Sequence, residues 1–321
     1  MGFSVVQNPK KLLSNTSNIM ADSFLRQSEK RDHIFSRKDD MRTKVITCSL
    51  VALLGVQSVS GKETPSQDYK HTFSVGLESF HYHYDETIDK KKFMDIKGLE
   101  FGINGAYQLT YKDSFFVRPE GRVTYGFTEY SNPKGSERDQ PHIPDFLFET
   151  RFLTGWQFHL AKKLTIAPYT GIAYRQKEND GSQVKNKANL GGRKRINKLW
   201  YVPLGLRGQY DFHNRWFVRV TTEYDWMLKG EQLSYDISRY PSPLVFKQNK
   251  GYGIKGELLA GYHFEKVSVS AGPYIHYWNI NGTKDKEYSA KDDRGRIYTG
   301  GLAYEPENST KEIGFKVNFI F

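Results

Sequence analysis

The sequence predicts an all-β chain, a transmembrane antiparallel up-and-down β-barrel of about ten strands with long external loops. Three observations predict it. Polar and apolar residues alternate with period two in segment after segment beyond residue 70. The connections between those segments alternate between long and short. The chain ends on such a segment, closed by phenylalanine. Period two is the repeat of a strand, whose successive side chains point to opposite faces. No stretch beyond residue 70 keeps helical spacing for any length.

Composition fits this class and excludes helical membrane proteins. Hydrophobic residues make up 38% and mean hydropathy is −0.65, whereas a membrane helix needs roughly 20 consecutive apolar residues. A barrel strand turns only every second side chain to lipid, so its average hydropathy stays low. The aromatic share of 15% suits pleated surfaces and interfacial girdles. The net charge of +11 fits anionic lipid head groups as well as it fits nucleic acid, and does not choose between them.

From Met41 the chain reads MRTKVITCSLVALLGVQSVSGKE, with Arg42 and Lys44 ahead of an apolar run, Val45 to Val56, and small residues at Ser58 and Ser60. These are the three regions of a secretory signal peptide. Residues 41–60 are therefore expected to be that signal, 61–70 a periplasmic leader and 71–321 the barrel. Residues 1–40, polar and aperiodic, read as an upstream extension before the true start at Met41, or as a disordered segment. The only cysteine, Cys48, falls inside the signal, so the mature chain would hold no disulfide and no thiolate metal site.

The clearest alternation is Leu99-x-Phe101-x-Ile103-x-Gly105-x-Tyr107-x-Leu109-x-Tyr111. The next segment sets Phe115, Val117, Val123, Tyr125 and Phe127 against Arg118, Glu120, Arg122 and Thr124. Another sets Phe148, Phe152, Trp156 and Phe158 against Glu149, Arg151 and Gln157. Further segments cover 71–84, 164–175, 199–211, 216–228, 251–264, 267–280 and 311–321. Short turns are expected near Lys112–Ser114, Ala161–Lys163, Phe212–Arg215 and Glu265–Lys266, and long polar loops at 85–97, 129–145, 176–198, 229–250 and 281–310. Outer-membrane barrels combine short periplasmic turns with longer extracellular loops, which gives this rhythm. Pro119, Pro168, Pro203 and Pro273 fall inside expected strands, where a missing N–H calls for a bulge or a register slip.

The faces opposite the apolar ones carry Arg118, Glu120, Arg122, Glu149, Arg151, Arg207, Arg219, Glu223, Asp225, Lys255, Glu257 and Lys316. About eight strands give an interior just filled by side chains, so ten imply a lumen mostly plugged by paired charges. A narrow pore lined by the same residues is the functional alternative. The basic run Lys177, Lys185, Lys187, Arg193, Lys194, Arg195 and Lys198 is expected on an outer loop, as a solvated charge run or as a grip on lipopolysaccharide phosphates. His81 and His83 share a face without a third metal ligand, so no metal and no cofactor is expected. The expected surroundings are outer-membrane lipids, lipopolysaccharide and the barrel-assembly machinery, with no nucleic acid and a monomeric state.

The stretches RPEGRVTYG, IPDFLFETRFLTGW, PYTGIAYR, YVPLGLRGQYDF, EYDWMLKGEQLSY, YWNI and YEPENSTKEIGFKV span nearly all of residues 72–321. Through them the chain resembles the uncharacterised proteobacterial outer-membrane β-barrel (porin-like) proteins. The resemblance implies a bacterial outer-membrane location and a surface or porin-like role without enzymatic activity. A terminal Phe closing an alternating strand, here Phe319 and Phe321, resembles the signal read by the assembly machinery. The ten-strand plan is similar to that of the omptin surface proteases, whose catalysis implies acidic pairs and an Asp–His couple at the extracellular rim. Asp211-Phe212-His213 has the spacing but falls on a short turn at the wrong end, and LKGEQLSY, downstream of Asp225, lacks histidine. No catalytic residue is assigned. A lipid hydrolase would need a Ser–His couple, and Ser79 and His81 share a face without a partner carboxylate.

Overall fold

The computed structural model describes residues 68–132, 139–186, 189, 191–235, 243–291 and 296–321. The expected extension, the signal peptide and most of the leader lie outside the described residues. The strands are β1 (Tyr69–Ile88), β2 (Lys91–Tyr111), β3 (Phe115–Ser131), β4 (Gln140–Trp156), β5 (Phe158–Ala161), β6 (Leu164–Asp180) and β7 (Lys194–Asp211). They continue as β8 (Trp216–Tyr235), β9 (Leu244–Gln248), β10 (Gly251–His263), β11 (Ser268–Ile280), β12 (Lys286–Lys291), β13 (Ile297–Ala303) and β14 (Glu307–Ile320). The first strand starts at Tyr69, two residues ahead of the expected barrel start.

Ten of these form a closed antiparallel ring. Each pairs with the next, β8 with β10, β11 with β14, and β14 with β1. Strand β5 continues the line of β4 against β6. Phe73 and Phe321 exchange both backbone hydrogen bonds (3.0 and 2.8 Å), so the final residue seals the ring. The short strand β9 adds to the upper end of β8, and β12 pairs only with β13.

The registers fix the barrel's shape. Paired residues lead from Lys70 through Thr110, Phe116, Gly155, Tyr169, Gly205, Glu223, Lys255, His276 and Glu312 to Tyr82, twelve residues further along β1. With strands about 4.8 Å apart and a rise of about 3.3 Å per residue, that stagger tilts them by roughly 40° on a ring of roughly 10 Å radius.

Outward side chains form an apolar belt. Leu77, Phe101, Phe152, Leu204, Leu258 and Phe315 are all exposed. Aromatic girdles bound it on both sides. On the short-turn side Tyr69 meets Tyr111 (5.1 Å), Phe115 meets Trp156 (6.0 Å) and Trp216 meets Tyr262 (5.2 Å between ring centroids). On the other side lie Tyr125 with Phe127 (5.5 Å), Tyr174 with Trp200 (5.0 Å) and Tyr224 with Tyr252 (6.1 Å). From Trp216 to Trp226 along β8 the belt rises roughly 25 Å, the height of a bilayer's hydrocarbon band.

The structure corrects the expected first loop and the expected effect of the prolines. Residues 85–97 are not a loop, because β1 and β2 run on past the belt to a two-residue turn at Asp89–Lys90, with φ of 51° and 60°. Positive φ at both positions is a type I′ hairpin geometry, which matches strand twist. Polar residues extend strands there because that end stands in water, where neither face needs lipid contact. The second correction concerns proline. Pairing lapses beside Pro119, Pro203 and Pro273 but resumes in the same register. Pro168 likewise interrupts the pairing of β4 and β5 with β6, in unchanged register. Each proline costs a ladder hydrogen bond without a slip at that point, because the flanking pairs hold the strand in place. The bulge nearest to them lies between Trp200 and Tyr201, in the pairing of β7 with β8.

Inside, aromatic rings lie across glycines on the neighbouring strand. Phe116 pairs with Gly155, Tyr169 with Gly205, Phe217 with Gly261 and Tyr274 with Gly314. A Cβ on any of these glycines would collide with the ring. The missing side chain is what lets a wide ring lie flat against the curved wall.

Candidate functional site

All the predicted charged residues lie on inward faces, but they sit in three layers with different chemistry. The middle layer is an ion-pair lattice. Arg122 of β3 reaches Glu312 of β14 (2.7 Å), Glu149 of β4 (3.0 Å) and Glu78 of β1 (3.5 Å). Arg175 of β6 also binds Glu312, and lies 3.5 Å from Glu149. The Tyr201 hydroxyl donates to Glu149 (2.6 Å). Arg151 joins Glu223 and Glu120 (3.2 Å to the latter), and the Tyr169 hydroxyl donates to Glu223 (2.6 Å). Lys316 bridges Glu257 (3.2 Å) and Glu78 (3.7 Å). Buried charges require such partners, because each leaves its hydration behind.

Above it, toward the long-loop side, the lumen is packed. Phe80, Tyr82, Met94, Ile96 and Tyr274 form one cluster, and Leu199, Tyr201, Met227, Trp278 and Ile280 with Ala173 form another. Lys177 lies against the first of them, bound to Glu100 and Asp145 (2.8 Å to the latter), with its ammonium 3.9 Å from the Tyr82 ring centre. Asp225 accepts a hydrogen bond from His276 (2.8 Å), both fully buried.

Below, toward the short turns, the lumen opens into a cavity of about 620 Å³. Arg118, Arg207, Arg219 and Lys255 line it, with Glu120 and Glu257. Arg118 donates to Glu120 (2.8 Å). Arg219 donates to the Gln209 amide oxygen (2.7 and 3.0 Å), and Arg207 lies over the Tyr169 ring. The expected plug of paired charges does not extend to this end of the lumen. Among the described residues no carboxylate lies within ion-pairing distance of Arg207, Arg219 or Lys255. Hydration from the open mouth is the physical reason such charges are tolerated.

At the mouth, Asp211 partners His263 rather than His213. The His263 Nε2 lies 3.2 Å from Asp211, its Nδ1 lies 2.8 Å from the Ser268 hydroxyl, and its ring stacks on Phe217 at 4.6 Å. His81 and Ser79 point outward from β1, and His83 pairs with Asp85 at the rim (3.1 Å). Among the described residues no three His, Cys, Asp or Glu side chains are grouped to hold a metal ion.

The basic run over 176–198 is strand at its two ends, 176–180 and 194–198. Lys177 is a lumen residue, Lys194 binds Glu178, and Arg195 binds Glu86 (2.8 Å). Sequence reasoning missed Glu78, Glu100, Asp145, Arg175, Lys177, His276 and Glu312. Glu312 was findable, since it shares a face with Lys316 in the last strand. Glu100 likewise opposes the apolar face of Leu99 and Phe101. Lys177 was assigned to an outer loop because β6 was expected to end at 175, and it runs to Asp180. Arg175, the last residue of the expected strand, shares the inward face of Ala173. Phe319 and Phe321 point outward on the short-turn rim, where β14 meets β1.

A closed ring of ten tilted strands, an apolar belt between aromatic girdles and a charged interior define a transmembrane β-barrel of the bacterial outer-membrane kind. The autotransporter β-domain family model matches residues 146–250, from within β4 to the approach to β10. The structure is similar to the outer membrane protease OmpT from Escherichia coli, with 13% identity, TM-score 0.53, and coverage of 83% of this chain and 100% of that one. At that identity the likeness speaks to fold. Outer membrane protein OprG from Pseudomonas aeruginosa matches with 9% identity, TM-score 0.35, and coverage of 79% and 96%. The Ralstonia pickettii toluene transporter TbuX matches with 10% identity, TM-score 0.33, and coverage of 78% and 88%. No curated protein matches the sequence.

Proposed function

We propose that this chain is a closed, non-conducting and non-enzymatic barrel of the bacterial outer membrane, presenting its long-loop side to the environment. The observation that carries the reading is the packed upper lumen, where Phe80 and Trp278 are 1% exposed and Met94 and Tyr201 0%. The belt would be surrounded by outer-membrane lipids, with lipopolysaccharide in contact with the outer girdle, and the chain would act as a monomer inserted by the barrel-assembly machinery. In planar bilayers the refolded protein is expected to be silent, and Tyr201→Ala with Trp278→Ala to produce conductance steps. Steady conductance from the unaltered protein overturns the reading in favour of a narrow solute channel.

A second reading, a barrel hydrolase, is favoured by one observation, the alignment of Ser268, His263 and Asp211 at the short-turn mouth. With Asp211 accepting from Nε2–H, Nδ1 is left as a base facing the serine hydroxyl. Hydrolysis of a p-nitrophenyl ester that disappears in Ser268→Ala supports it. Equal background rates in both proteins end it.

A further inference from the structure

The cavity on the short-turn side carries more positive charge than its own carboxylates answer. Arg118, Arg207 and Arg219 come from β3, β7 and β8, and all three line this one cavity. Glu120, the carboxylate beside Arg118, is shared with Arg151. Glu257 is taken by Lys316. Arg207, Arg219 and Lys255 are left without an anionic partner among the described residues. The wall also holds donors with no acceptor. Arg151, 5% exposed, has a free Nη1, and Thr221 Oγ1 and Asn104 Nδ2 are likewise unpartnered. Guanidinium groups are planar forks matched to carboxylate and phosphate oxygens. Under-neutralised arginines around a space of about 620 Å³ that opens only at the short-turn mouth describe a site for a compact multivalent anion.

We infer that the lumen cavity binds a small di- or trivalent oxyanion, a phosphate or polycarboxylate, that enters through the short-turn mouth and is held by Arg207, Arg219 and Lys255. In the proposed orientation that mouth faces the periplasm. The inference goes beyond the display role, which concerns the opposite end, and its failure leaves that role untouched. The lattice of Arg122, Arg175, Glu149 and Glu312 closes the cavity above, so the anion is bound and not passed through.

The test is calorimetric titration of the detergent-refolded full-length barrel with sodium pyrophosphate at low ionic strength. Arg207→Gln with Arg219→Gln is the test variant, and Lys229→Gln, on the exposed rim, is the control. Native-like folding of each is read from the shift of the unheated band on a gel. Saturable binding weakened at least tenfold in the double variant and unchanged in the control supports the site. Affinities within twofold across all three proteins overturn it, since they report diffuse charge attraction alone. A parallel arm with short-chain phosphatidate separates the sources of the phosphate group. Preference for pyrophosphate supports a free solute, and saturation by phosphatidate with no response to pyrophosphate overturns it.

Discussion

Replacing Arg122 with methionine tests the middle layer most directly. The guanidinium is the shared cation of Glu78, Glu149 and Glu312, at 3.5, 3.0 and 2.7 Å. Methionine keeps much of the volume and removes the charge. Each carboxylate retains one other cation, Lys316 for Glu78 and Arg175 for Glu149 and Glu312, and Glu149 also keeps the Tyr201 hydroxyl. Removing one member of a buried pair costs roughly 3–5 kcal/mol, because it leaves an uncompensated charge. With the remaining partners in place, a loss of about 3 kcal/mol is expected. Adding Glu312→Gln removes one of the stranded negative charges, and should recover on the order of 1 kcal/mol as a coupling between contacting residues. Reversible urea unfolding in lipid vesicles, followed by tryptophan fluorescence, measures both. A loss below about 1 kcal/mol for Arg122→Met, or a double variant less stable than the single one, would refute the view that this layer is held by charge pairing.

Other perturbations address the rim and the wall. Glu305 lies beside Tyr84 and near Glu86, outside the belt, and burial with the Glu86 charge pushes its carboxyl up to about 8. A raised pKa means that the folded rim favours the protonated form. Its stabilisation is complete below the ordinary glutamate value and is lost as pH rises toward 8, so tryptic nicking of the outer connections should increase over that window and level out in Glu305→Gln. Gly205→Ala forces the Tyr169 ring off the wall and should cost about 1–3 kcal/mol in the same urea assay. Changing Asp89-Lys90 to Asn-Gly suits the two positive φ values and should stabilise by about 1 kcal/mol, read as a higher unfolding midpoint.

Period-two alternation made most of the barrel legible. Lipid tolerates only apolar side chains on the outer face, so Phe101, Phe152 and Leu258 had to alternate with residues that face away from it. The inward residues Arg118 to Glu257 followed from the same constraint. Where water bathes both faces the constraint disappears, and the reading stopped at 84 although β1 runs to Ile88. Proline looked disruptive because a strand read alone gives no measure of how firmly its two neighbours hold it.

By itself the sequence determined the face each side chain takes, since that depends only on the strand repeat and the solvent outside. Which charges meet is another matter. Arg122 and Glu312 are 190 residues apart in the chain, and only the closure of β14 on β1 and the twelve-residue stagger bring them together. The same ring leaves Arg207 and Arg219 around an open cavity without partners. Partner choice across a lumen depends on register and tilt, which belong to the closed sheet and to no single strand.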